Sequence, residues 1–179
     1  KIFDRKHIME EGLIMRLEQE LRIIERLKHP NICEVVKVFY FDEIIIVCME
    51  YCSNGALNDY IVNHKSLPTW EVYKLTRKIV NALAFLHNKG IAHRDIKLDN
   101  IVLSENFEPK LIDFGLCTES MSNVWGEYHD NLRSTVCGTL EYMAPEIINK
   151  KAYNPMASDI WALGVVVYSM ATGQFPWSG

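Results

Sequence analysis

The stretch that most constrains this chain runs from His93 to Gly115. It begins His93-Arg94-Asp95-Ile96-Lys97-Leu98-Asp99-Asn100. The apolar run Ile101-Val102-Leu103 follows, then the polar turn Ser104-Glu105-Asn106, a second run Lys110-Leu111-Ile112, and Asp113-Phe114-Gly115. Two short aliphatic runs separated by turn-forming residues read as a hairpin. A hairpin sets the residue before its first strand beside the residue after its second, so Asn100 and Asp113 are expected together at the open end. Asp95 lies on the loop feeding that end. The result is a cluster of side-chain oxygens beside one fixed cation, Lys97. Asn100 and Asp113 offer hard oxygen donors suited to Mg²⁺, which takes one or two carboxylates plus substrate phosphates. Asp95 is left to accept a proton. Such a set serves metal-assisted phosphoryl transfer, where catalysis is mostly positioning and charge neutralisation.

HRDIKLDN at 93–100, DFG at 113–115 and Ala144-Pro145-Glu146 resemble the catalytic loop, the metal loop and the APE motif of eukaryotic protein kinases. Three motifs in the right order make chance a poor explanation, whereas one HRD triplet would be weak. The resemblance implies a two-lobed α+β fold, with residues 1–52 as the remainder of an N-lobe ending in a hinge and 53–179 as a partial, mainly helical C-lobe. It also implies ATP and Mg²⁺ as cofactors and a protein substrate carrying serine or threonine.

Composition fits that expectation. The chain has 179 residues, 49% of them hydrophobic, and a net charge of −4, which suits one globular domain or a large part of one. A mildly acidic balance lacks the basic stripe of a nucleic-acid binder. No apolar run approaches the ~20 residues of a membrane span. The five scattered cysteines form no CxxC pair and read as reduced thiols of an intracellular, cytoplasmic protein. Lys1-Ile2-Phe3 reads as the end of a strand rather than a signal peptide. With no initiating methionine, the chain reads as a piece of a longer one.

Glu10 to Lys28 reads as a helix, with Leu13, Leu17, Leu21, Ile24 and Leu27 stepping by 4, 4, 3 and 3 along one face, stopped by Pro30. Glu34–Phe41 and Ile44–Glu50 read as strands, the second apolar enough to be buried on both faces. Ala56–His64 is a short helix. Thr69–Lys89 is a longer one with its stripe at Val72, Leu75, Ile79, Leu83 and Leu86; Pro68 opens it and Gly90 follows it. Its polar face, with Lys74, Arg77, Lys78 and Asn81, reads as solvated. From Leu116 the periodicity fades into a long loop with an insertion expected near 122–131. Ser158–Thr172 reads as a buried helix ending at Gly173, with Asp159 in its first turn near the positive end of the dipole.

By the same resemblance each motif residue acquires a role. Lys1 pairs with Glu20, placed by the spacing to His29-Pro30-Asn31, and grips the α- and β-phosphates. Met49 is the gatekeeper, the backbone of Glu50 and Cys52 meets adenine, and Val102 belongs with these cofactor-binding residues. Asp95 is the base, Lys97 neutralises the γ-phosphate, Asn100 and Asp113 hold the metal, and Thr139 bridges Asp95 and Lys97. His93 is structural, stacking with Ile24, Val35 and Phe114. Asp159 anchors the backbone of the catalytic loop. Thr135 is the site for an upstream kinase, with Arg94 as the partner of its phosphate and Ser134 as the neighbouring rival site.

The lysine two places after Asp95 and the run Gly138-Thr139-Leu140-Glu141-Tyr142-Met143-Ala144-Pro145-Glu146 follow the serine/threonine pattern. The wording around Met49 and the TGQFPW stretch at 172–177 is closest to the calmodulin-dependent and AMP-activated group. The family's glycine-rich loop and its last helices have no counterpart here, so an isolated piece is expected to be weakly active or inactive. Ala56 and Ser169 replace glutamates common in kinases that prefer basic substrates. The rival reading is a non-catalytic kinase-like binding or scaffold module; retention of Asp95, Asp113 and both lysines weighs against it.

Overall fold

A computed structural model of the chain describes residues 1–119 and 132–177. The insertion expected near 122–131 lies outside the described residues. The N-terminal region builds an antiparallel sheet from β1 (Ile2–Asp4), β2 (Val35–Tyr40) and β3 (Ile44–Met49), in the order β1-β3-β2. Ile46 of β3 stands opposite both Ile2 and Phe39, and a bulge falls between Val35 and Lys37. Lys1 continues the β1 pairing, because the Val47 N–H donates to its carbonyl at 2.8 Å.

The helix expected from Glu10 to Lys28 is shorter than its stripe suggests, and a separate short helix precedes it. Helix α1 spans Arg5–Glu10, started by the Asp4 carboxylate, which accepts from the His7 N–H at 3.1 Å. Gly12, at φ +69°, ends it by taking the left-handed conformation that glycine reaches at least cost. Helix α2 then spans Ile14–Ile24. Its end tightens through the Arg26 and Leu27 N–H groups, which reach back three residues to the Ile23 and Ile24 carbonyls. Leu17, Leu21, Ile24 and Leu27 are buried as their spacing predicts, whereas Leu13 sits at the break and is 39% exposed. Strand β3 also departs from expectation. Only Ile45 and Val47 are buried, Ile44, Ile46 and Met49 are partly covered and Cys48 is exposed, so one face of the strand meets the core.

The C-terminal region is mainly helical: α3 (Leu57–His64), α4 (Thr69–His87), the short α5 (Pro145–Ile148) and α6 (Pro155–Thr172). All five stripe residues of α4 are buried. Strands β5 (Ile101–Leu103) and β6 (Pro109–Leu111) form the expected hairpin, with Ile101 opposite Leu111. A further pair, β4 (Ile91–Ala92) with β7 (Thr118–Glu119), extends regular structure past Leu116, where the sequence shows no repeat. Helix α6 starts three residues earlier than expected, at Pro155, where the Asn154 side chain accepts from the Met156 and Ala157 N–H groups. Asp159 therefore lies beyond the first turn, out of reach of the dipole argument, and does something else described below. The helix is also not buried all round: Ile160, Trp161 and Tyr168 are exposed.

One hydrophobic core runs from α2 and β3 through α3, α4 and the hairpin to α6. A small satellite gathers Ala144, Ile147 and Tyr153. The core holds the segment from Ile96 to Leu111 from beneath: Ile96, Leu98, Ile101, Leu103 and Leu111 are all buried, and Asn100 is buried with them, while Lys97 is partly covered and Asp99 exposed.

Candidate active site

The hairpin register does what the sequence requires of it. The Ile112 N–H donates to the Asn100 carbonyl at 3.0 Å, so Asn100 and Asp113 emerge together at the open end. Asn100 gives its amide N–H groups to Asp95, at 2.9 Å to the backbone carbonyl and 2.8 Å to Oδ2. Its amide oxygen is left as the donor for a cation.

Around Asp95 the contacts form a closed triangle. Lys97 Nζ lies 3.0 Å from Asp95 Oδ2 and donates to Thr139 Oγ1 at 2.8 Å, and the Thr139 hydroxyl donates to Asp95 Oδ1 at 3.0 Å. Asp95 is thus fixed by Lys97, Asn100 and Thr139 together. An ionised carboxylate has about four lone-pair positions; three are engaged, which leaves one for an incoming hydroxyl. Gly138 permits the approach: it adopts φ +101°, and a Cβ there would come within 2.9 Å of the Arg94 carbonyl.

The second cluster surrounds Lys1. Its Nζ sits 3.3 Å from Glu20 Oε1 and 3.2 Å from Asp113 Oδ1. Burial alone would lower the lysine pKa, but the two carboxylates outweigh it and hold it raised. For Asp113 burial pushes upward, yet Lys1, a hydrogen bond from the Gly115 N–H and the nearby His93 leave the carboxyl below its usual range. The Glu20 pairing is the one the spacing predicts. The direct contact with Asp113, 112 residues away in sequence, carries no local signal. A cavity of about 350 Å³ opens beside these groups, lined by Glu20, Asp95, Asp113 and Gly115 with Leu17 and Phe3 among its apolar walls.

Asp159 holds the loop from below. Its oxygens accept from the His93 N–H at 2.9 Å and the Arg94 N–H at 2.7 Å, and the His87 ring lies 2.8 Å away. Arg94 and Asp113 both take positive φ, +67° and +64°, a conformation costly for residues with a side chain; at Arg94 the N–H bond to Asp159 holds it. His87 was not singled out from the sequence, since nothing in the last turn of α4 marks it apart from a solvated histidine. His93 is fully buried, and its ring centroid lies 5.0 Å from that of Phe114. Its Nδ1 accepts from the Asp95 N–H at 3.3 Å, so Nε2 carries the proton given to the Ile112 carbonyl at 3.1 Å. Both nitrogens are committed in the neutral ring. Burial accordingly lowers its pKa.

The residues expected at the hinge form a separate group. Met49 ends β3 partly buried. The Glu50 carbonyl receives the Cys33 thiol at 3.6 Å, and the Cys52 carbonyl receives the Gly55 N–H at 3.4 Å. The Glu50 side chain takes the Lys110 ammonium at 2.7 Å and the Glu34 N–H at 2.8 Å. Val102 joins this group because Leu103 and the 54–55 turn exchange backbone hydrogen bonds. Thr135 is exposed, and Arg94 reaches its carbonyl at 3.5 Å rather than its side chain. Arg94 also contacts Cys137, and its Nε is buried without a hydrogen-bond partner among the described residues. Both Arg94 and Thr135 line a second opening of about 350 Å³ shared with Gln19 and Gly115.

The structure thus sets an Asp–Lys–Thr triangle beside an Asn/Asp hairpin end, within a mixed sheet-and-helix fold joined by one core. Along residues 1–179 the chain matches the protein kinase domain, and it belongs to the protein kinase family. It is 36% identical over 179 residues to human NUAK family SNF1-like kinase 1, covering all of this chain and 26% of that protein. It is 36% identical over 176 residues to Maternal embryonic leucine zipper kinase of Xenopus laevis, 98% of this chain and 26% of the relative. To CBL-interacting serine/threonine-protein kinase 9 of Arabidopsis thaliana it is 32% identical over 176 residues, 98% of this chain and 38% of the relative. The chain thus spans between about a quarter and two fifths of the length of these relatives. They are serine/threonine kinases of the AMP-activated-related and CBL-interacting groups, the side of the family that the wording around Met49 indicates.

Proposed function

We propose that the chain carries the catalytic centre of a protein serine/threonine kinase, moving the ATP γ-phosphate to a serine or threonine hydroxyl of a protein. The observation that supports this most is the triangle of Asp95, Lys97 and Thr139 set against the open end of the hairpin that presents Asn100 and Asp113. Residues 1–52 act as the nucleotide-facing lobe and 53–179 as the substrate-facing one.

Asp95 Oδ holds the incoming hydroxyl and takes its proton as the phosphorus–oxygen bond forms, a contribution of about 10²–10⁴-fold for such a base. Lys97 offsets charge on the transferring phosphoryl, and Thr139 keeps the lysine and the aspartate in register. The donor set fits magnesium: one carboxylate held deprotonated by Lys1 and one amide oxygen left over by the bonds to Asp95. Asn100 and Asp113 are the residues to hold it, and when bound it neutralises triphosphate charge. Lys1, kept in place by Glu20, meets the α- and β-phosphates, and the backbone of Glu50 and Cys52 with Met49 and Val102 receives adenine. Thr135 is the regulatory site: a phosphate there adds roughly −1.5 to −2 charges, and the Arg94 guanidinium is within reach to bind it bidentately.

The test is radiolabelled phosphate transfer to serine, threonine and tyrosine peptides, in this chain and in longer forms that include it. Asp95→Asn and Lys1→Met are the controls. Labelling of serine and threonine that falls in both variants supports the reading. Undiminished transfer in Asp95→Asn removes the base, and nucleotide binding without transfer in every form leaves a binding module instead.

A further inference from the structure

The outer face of α4 is not the plain solvated surface its composition suggests. Tyr73, Lys74, Arg77 and Lys78 recur at helical spacing and, with Pro30 and Glu108, line a groove of about 520 Å³. One wall is the helix, and the other is the turn before β2 together with the β5–β6 turn. Asn31 stiffens the far wall: it is buried, and its side-chain amide donates to the Pro109 carbonyl at 2.8 Å. Glu108 pairs with Lys78, so one cation of the three is already neutralised. Lys74 and Arg77 are exposed and make no ion pair among the described residues. This concave cationic strip lies on a chain of net charge −4. Composition would place negative surface there, so the local sign runs against the whole. One turn towards the helix start, on the same face, Trp70 is 66% exposed, and Tyr73 beside the groove is 67% exposed. Two large rings left in water next to unpaired cations are the composition of an interface anchor.

We propose that this groove is a docking site for an acidic protein segment. The segment lays carboxylates along Lys74 and Arg77 and an apolar side chain against Trp70 and Tyr73. The guanidinium of Arg77 takes a carboxylate bidentately, the ammonium of Lys74 a second one about a turn away, and the rings supply the apolar end. The groove sits at the turn end of the hairpin whose open end carries Asn100 and Asp113. Occupation of the groove therefore leaves the catalytic cluster free, and the site goes beyond the kinase reading rather than depending on it.

The experiment measures binding to this chain by fluorescence anisotropy. The probe is a fluorescein-labelled twelve-residue peptide of glutamates and serines with a leucine pair at one end. Comparison probes are the same peptide with lysines for glutamates, an RNA oligonucleotide and anionic phosphatidylserine vesicles. Lys74→Glu with Arg77→Glu is the test variant. Lys150→Glu with Lys151→Glu, an equal charge change on another surface, is the control, and melting temperatures verify that both are folded. Expected is binding of the acidic peptide that weakens about tenfold or more in the test variant, equivalent to ~1.4 kcal/mol, less than threefold in the control, and further on Trp70→Ala. No binding of the acidic peptide, or an equal loss in both charge variants, overturns the proposal. So does preference for the RNA or the vesicles, or binding indifferent to Trp70.

Discussion

At the scale of single residues, His93 shows how a motif position can be decided by its partners. In isolation a histidine two places before the base invites a proton-shuttle role. In the fold Nδ1 accepts and Nε2 donates, both to backbone, and the ring is fully buried. Adding a proton would break the bond from the Asp95 N–H and place a charge in the core, so burial holds the pKa below 6.5. The sign of the consequence follows from linkage: below about 6.5 the unfolded chain binds a proton that the folded chain refuses, so stability rises with pH across that window and is lost as pH falls below it. We expect the midpoint of urea unfolding to drop between pH 6.5 and 5, and His93→Phe to flatten that part of the profile while preserving contact with Phe114. An unchanged slope in the variant would assign the acid sensitivity to another group. Asp95→Asn, by contrast, should reduce phosphate transfer by about 10²–10⁴-fold with little change in melting temperature, since the amide keeps the acceptor facing Thr139.

At the scale of elements, legibility followed the range of the physics. Helix α4 could be read in full because five buried residues at helical spacing outvote any local ambiguity. The hairpin could be read because its strands are adjacent in sequence and its turn is polar. Helix α1 was not read because none of its residues is buried, and periodicity registers a buried face; the stripe from Leu17 to Leu27 begins only after Gly12. Strand β3 was over-read: its apolar run promises two covered faces, yet only Ile45 and Val47 reach the core. Pairing of β7 with β4 depends on contacts between Ile91–Ala92 and Thr118–Glu119 that no local pattern carries. The end of α6 offers a direct test. Gly173 sits at φ +72°, where a Cβ would lie 1.7 Å from the Lys65 carbonyl oxygen. Gly173→Ala therefore needs both a strained backbone and a displaced α3–α4 connection, and we expect a loss of at least about 1–3 kcal/mol by chemical denaturation. Asn154→Ala at the other end, which removes a cap serving two N–H groups, should cost about 1 kcal/mol. If the two losses came out equal, the clash at Lys65 would not be the controlling feature.

At the scale of the whole molecule, two kinds of link join the sheet region to the helical region, and magnitudes separate their roles. The polar link is Lys1 with Glu20 and Asp113. Lys1 and Asp113 side chains are 38% and 47% exposed, and exposed ion pairs contribute about 0–1 kcal/mol. The apolar link is the shared core, where Phe114 is 2% exposed and clusters with Ile24 of α2 and Leu83 of α4. Removing a buried phenylalanine side chain typically costs ~3–5 kcal/mol. Folding thus rests on the core, while the ion cluster sets the position of two charges that the proposed chemistry uses. The sequence reveals both links only in part: the Lys1–Glu20 pair follows from motif spacing, but contact between residues 1 and 113 exists only once the halves are docked. Lys1→Met should therefore abolish most phosphate transfer while shifting the melting temperature by no more than roughly 2–4 °C, the change that ~1 kcal/mol produces in a chain of this size. Phe114→Ala should lower it by roughly 6 °C or more. Because the core is continuous, amide exchange in β3 and tryptophan fluorescence from Trp161 should report one common transition in both proteins. Melting of the sheet well before the helices would show that the core does not join the halves, and a large thermal shift in Lys1→Met would reverse the order of the two links.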